Sequence, residues 1–172
     1  MTFMITALTS CGDAPKGAAP WIVDRFDDIK VIRYEVPGFE ALPLEQKELI
    51  YYLAQAAKCG RDILYDQNCV VNLPVRRTLE VVYENYAGDR TTAEWQALEK
   101  YLKKVWFANG IHHHYSNDKF TPEFTESYFL ELCESIPVER LGDLQPMIAT
   151  VSRAIFDPAA YPTRLNQRAG DD

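Results

Sequence analysis

Every histidine of the chain lies in one short stretch, ANGIHHHYSNDKF, where His112, His113 and His114 stand side by side and Tyr115 and Ser116 follow. Imidazoles can hold a metal, move a proton or activate a nucleophile. Zinc needs three or four His, Cys or carboxylate ligands on a constrained scaffold. In an extended segment neighbouring side chains point to opposite sides, so only His112 and His114 would share a face. Two ligands do not make a site, and neither HExxH nor HExxGH occurs in the chain. Cys59 or Cys69 with a histidine could form a nucleophilic pair, but no sequence context around either cysteine supports it. A GxSxG elbow, a GxGxxG loop and a Walker A loop are all absent. The carboxylates are numerous and fall mostly at exposed helix positions, where they serve as solvated faces.

What remains is a surface. A strand carrying an aromatic and small polar groups can accept an extended peptide as an added strand. His114, Tyr115 and Ser116 follow a helix end and precede a new helix start, which is a rim position. The competing reading is a buried connector whose histidines bond to neighbouring backbone, and periodicity alone favours it.

The elements that must position this stretch can be read from the apolar pattern. Asp28 to Val36, DIKVIRYEV, alternates Ile32, Tyr34 and Val36 with charged residues and is closed by Pro37-Gly38, which predicts a strand. Ile111 to Ser116 is a second expected strand. Pro43 opens a helix whose face is Leu49, Tyr52, Leu53, Ala56 and Ala57. Gly60 is expected to end it in a left-handed cap, and RDILYDQN to continue as a short second piece. Pro74 is expected to open the next helix, with Val75, Leu79, Val82, Tyr83 and Tyr86 on one face. Thr91 and Glu94 suggest a capping box for the clearest amphipathic helix, built on Trp95, Leu98, Leu102, Val105 and Trp106. Asn109-Gly110 stops that helix. Thr121-Pro122 marks another start, with Phe124, Tyr128, Phe129 and Leu132 as its buried stripe. Leu144, Ile148, Val151 and Ile155 make a last helix, ended by Asp157-Pro158. The expected fold class is α+β, predominantly helical. Its two strands would pair with each other or with strands supplied elsewhere, since unpaired edges are costly.

With 172 residues, 47% hydrophobic and 12% aromatic, the chain suits one globular domain. Its net charge of −7, with no basic run longer than two residues, argues against nucleic-acid partners. No run of 18 apolar residues is present. Residues 1–20 differ in character: an apolar run from Phe3 to Leu8, then Thr9, Ser10 and Cys11, then a polar tether. Leu8-Thr9-Ser10-Cys11 resembles a bacterial lipobox, which implies lipidation at Cys11, a lipid anchor to the membrane and a place in the cell envelope. The basic residues that normally open a signal peptide are missing from residues 1–10. Without a lipid anchor the expected place is the cytoplasm. Cys59, Cys69 and Cys133 form no CxxC pair and are expected to be small buried hydrophobes.

Three long stretches, VPGFEALPLEQKELIYYLAQAAKCGRDILYDQN, RRTLEVVYENY and LEKYLKKVWFANGIHHHYSNDKF, resemble the N-terminal part of bacterial dipeptidyl peptidase III, a likeness running from Trp21 to the end. That family is a two-lobed zinc exopeptidase releasing dipeptides from the N-terminus of oligopeptides. Its zinc ligands and its water-activating glutamate sit on an HExxGH helix and a neighbouring helix, motifs missing from this chain. The resemblance therefore implies that residues 21–172 are an incomplete lower lobe, inactive by itself and binding no zinc. Its partners would be an oligopeptide substrate and the remainder of the enzyme, which carries the zinc lobe. It also implies that Asn109, His114, Tyr115 and Ser116 are substrate-binding, with Tyr115 the aromatic wall of a substrate pocket and no catalytic or metal residue in the chain. The alternative is a non-catalytic, membrane-tethered module for peptide binding or scaffolding.

Overall fold

The computed structural model describes residues 21–164. Cys11, the tether in residues 1–20 and the terminal NQRAGDD turn lie outside the described residues. The chain divides into two compact units, residues 1–41 and 42–172.

In the first unit, strand β1 (Ile22–Phe26) pairs antiparallel with β2 (Ile29–Ile32), Phe26 opposite Ile29 and Ile22 opposite Ile32. Asp27, in the left-handed region at φ 52°, makes the tight connection. The strand predicted at 28–36 is thus shorter, and its partner is the segment just before it. Tyr34 and Val36 lie past the strand and are 88% and 71% exposed. Alternation continued beyond the point where hydrogen bonding stops, because the pattern reports side-chain type and not pairing. A two-stranded hairpin with Trp21, Val23 and Ile32 exposed buries too little apolar area to be stable alone.

The second unit is helical. It runs α1 (Leu44–Cys59), α2 (Arg61–Asn68), α3 (Asn72–Asn85), α4 (Ala93–Ala108), α5 (Glu126–Ser135), α6 (Val138–Leu141), a 3-10 turn (Gly142–Met147) and α7 (Ile148–Phe156). Helix α3 is the hub, packing on α2, α4, α6, α7 and the 3-10 turn. Most of the predicted stripes form the core: Val75, Leu79 and Val82 from α3, Trp95, Leu98, Leu102 and Val105 from α4, Phe129 and Leu132 from α5, Val151 and Ile155 from α7; Trp106, expected on the same face of α4, is instead exposed. Each such core side chain stabilises the fold by roughly 1.5–3 kcal/mol relative to leaving it in water. Tyr86 stacks on Trp95 with ring centroids 3.9 Å apart.

Several boundaries differ from the sequence expectation. Helix α3 begins two residues before Pro74, which sits in the first turn where its missing N–H costs nothing. Thr92, not Thr91, caps α4 by accepting from the Trp95 N–H at 3.3 Å; Thr91 instead donates to Asp89. Helix α5 starts at Glu126, capped by Thr125, four residues after Pro122. Leu144 belongs to the 3-10 turn, not to α7. Gly60 is right-handed, at φ −82° and ψ −5°, so the chain passes from α1 into α2 without the left-handed cap.

The largest departure is α1. No residue of this helix is buried: Leu49, Tyr52 and Leu53 are 59%, 68% and 60% exposed. Cys59, in its last turn, is exposed for the same reason, whereas Cys69 and Cys133 are buried as expected. No helix among the described residues is long and apolar enough to cross a membrane.

Candidate functional site

The histidine stretch is not a strand. Residues 111–113 and 118–120 lie antiparallel as a single bridge, His112 opposite Lys119, closed by Phe120 N–H to Ile111 O at 2.8 Å and His113 N–H to Asp118 O at 2.8 Å. Residues 114–117 form the turn, with Asn117 left-handed at φ 63°. Too few residues lie between α4 and the turn to extend the ladder, so the strand expected at 111–116 reduces to one pair.

Its entry is held from below by one buried side chain. Asn72, fully buried at the start of α3, donates from Nδ2 to the carbonyls of Tyr65 and Asn109, at 3.2 and 3.4 Å. Its Oδ1 accepts from the Ile111 N–H at 3.1 Å. Asn68 also donates to the Asn109 carbonyl, at 3.4 Å. Asn109 is left-handed at φ 54° and Gly110 follows at φ 153°, a conformation that favours glycine. A Cβ on Gly110 would fall on the Asn72 amide. Arg164 grips the far side. It donates to Asn68 Oδ1 at 3.0 Å and to the His114 carbonyl at 3.5 Å, and its N–H reaches the Asn117 carbonyl at 3.2 Å.

The three histidines have three environments. His112 is 1% exposed and its Nε2 lies 2.7 Å from the Tyr161 carbonyl. A carbonyl only accepts, so Nε2 carries the proton. Burial pushes the His112 pKa down, partly offset by that bond. His113 is half-buried, and its Nδ1 accepts from the N–H groups of Tyr115 and Ser116, at 3.3 and 3.2 Å. His114 stands between two aromatic rings, 4.9 Å from Phe107 and 4.3 Å from Tyr115. Tyr115 is 83% exposed. Ser116 Oγ accepts from the Asp118 N–H at 3.3 Å.

Of the residues singled out from sequence, His114, Tyr115 and Ser116 thus lie together on an outward turn. Asn109 contributes a backbone carbonyl to the anchor beneath it. Tyr115 and Ser116 are exposed, while the His112 and His113 imidazoles bond to backbone as the connector reading expects. Sequence reasoning missed Asn68, Asn72, His113 and Arg164 as positioning groups. Asn68 ends α2 and Asn72 opens α3, at a break in the helical pattern, and asparagine is a poor helix former. Nothing in the sequence connects them to a turn nearly forty residues later.

A cavity of about 340 Å³ lies elsewhere, between Lys119–Pro122 and the end of α7, with Phe120, Ile155, Phe156, Pro158 and Pro162 in its walls. Tyr115 does not line it. The Lys119 ammonium already donates to the carbonyls of Asp157 and Ala160, at 2.6 and 2.9 Å. It thereby caps the negative end of α7.

Among the described residues no three His, Cys, Asp or Glu side chains converge into a group able to hold a metal ion. No family model matches the chain, and no curated protein matches it either.

Proposed function

We propose that this chain supplies a peptide-facing surface to a zinc exopeptidase of the dipeptidyl peptidase III kind, as the N-terminal part of its lower lobe. The Tyr115 turn carries the reading: an aromatic ring mostly in solvent, set on backbone that the Asn72, His113 and Arg164 side chains hold in place. A protein does not gain stability from an exposed tyrosine, whereas an extended peptide gains a flat apolar contact from one. Zinc and the groups that activate water would come from the remainder of the enzyme. Envelope placement through a lipid on Cys11 belongs to the same proposal.

One observation supports this reading over a self-contained binding module. Leu49 to Leu53 are five consecutive large apolar residues at 100° steps, all exposed, so they face every side of α1. A self-contained module would bury at least one such side. Coding sequence downstream of codon 172 tests the proposal. An open frame reaching HExxGH supports it. A frame without that motif contradicts the peptidase reading and leaves the module.

A further inference from the structure

The geometry points to His113 as the positioning residue of the Tyr115 turn, acting only while its Nδ1 is unprotonated. This deepens the peptide-surface reading above and rests on it for its functional meaning, though not for its structural content. Two successive backbone N–H groups, of Tyr115 and Ser116, converge on one imidazole nitrogen at 3.3 and 3.2 Å. The ring does what an aspartate or asparagine oxygen does in an Asx turn. Such a nitrogen must present its lone pair. A proton placed on Nδ1 converts the acceptor into a donor facing two donors, and both bonds are lost together. What remains of the turn is the closing His113 N–H to Asp118 O bond at 2.8 Å, the Asn117 N–H to His113 O bond at 3.1 Å, the Ser116 Oγ cap on Asp118 and the Arg164 contacts.

The consequence reaches the exposed ring. Tyr115 leans on His114 at 4.3 Å and on His113 at 6.2 Å, and His113 lies 4.5 Å from His114. Freed N–H groups at 115 and 116 let the peptide plane between them rotate, which re-aims the tyrosine. The charged and titratable groups around the His113 ring come from three elements. The turn itself brings His114, Tyr115 and Asp118. Phe120 presents its ring at 6.2 Å, with Lys104 of α4 lying 4.6 Å from the centre of that ring. Arg164 approaches through the His114 carbonyl.

The test uses the full 172-residue chain, labelled with nitrogen-15, titrated with acid while the Tyr115 and Ser116 amides and the three imidazoles are followed by NMR. The expected result is that both amides shift in one step that coincides with the His113 ring. In His113→Asn, whose side-chain oxygen keeps the acceptor but cannot take the proton, the turn persists and that step vanishes. In His113→Phe the two amides take the shifted positions at every pH. Amides that titrate unchanged in His113→Asn, or that follow the His114 ring instead, overturn the inference. The wild-type titration decides even if a variant misfolds. A second arm measures binding of a synthetic hexapeptide: affinity should fall roughly tenfold on acidification in the wild type and stay level in His113→Asn. Amides that titrate as expected with no peptide bound at any pH would sink the peptide reading and leave His113's role standing.

Discussion

Helices α1 and α4 are both sixteen residues long, and both carry several large apolar side chains. Six residues of α4 are buried and none of α1 is. The difference lies in their neighbours. Helix α4 has α3 against it and the aromatic stack of Tyr86 on Trp95 over its first turn. Helix α1 touches chiefly α2. Apolar content tells how much surface a helix must hide, and only the rest of the fold tells whether it is hidden.

Mutations in the two helices should separate most sharply. Leu102→Ala in α4 is expected to cost about 3–5 kcal/mol in urea unfolding, through lost transfer energy and an unfilled cavity. Leu53→Ala in α1 should change stability by no more than ~0.5 kcal/mol. Equal costs would mean that α1 is packed in solution. Next in size is the anchor beneath the turn. Asn72→Leu strands the Ile111 N–H in the interior and should cost about 2 kcal/mol. Gly110→Ala meets the same amide from the other side and should be destabilising too, with the combined variant less than additive because the two residues touch.

Acid should reveal a smaller effect centred on His112. Burial lowers its pKa in the folded state below the ordinary value near 6.5, so between those two values the unfolded chain binds more protons than the folded one. The stabilising contribution of neutral His112 is therefore fully present above about pH 6.5 and is lost as pH falls through the folded value. Denaturation midpoints measured from neutral pH downward should decline, and His112→Gln should flatten that part of the decline. The smallest change expected in stability is at the surface: Tyr115→Ala should leave unfolding within ~0.5 kcal/mol of wild type, since little of the ring is buried.

The stripes of α3, α4, α5 and α7 were legible because a 3.6-residue period survives any packing partner. Asn109-Gly110 was legible as a stop because its backbone needs residues that tolerate positive φ. The β1–β2 pairing was not, since Ile22–Phe26 carries charges at Asp24 and Arg25 that mask its alternation. Nor could the exposure of α1 be read, because periodicity identifies a face without naming what covers it. The rim position of Tyr115 came from its place between two helices, whereas the anchor from Asn68, Asn72 and Arg164 depends on contacts between segments far apart in sequence.

The most direct test of a peptide-facing turn is to add an unlabelled hexapeptide to the nitrogen-15-labelled chain and map which amides move. The account predicts saturable shifts concentrated at Tyr115, Ser116 and neighbours in 111–118, abolished by Tyr115→Ala. Shifts confined to α1, or none at millimolar peptide, would contradict it.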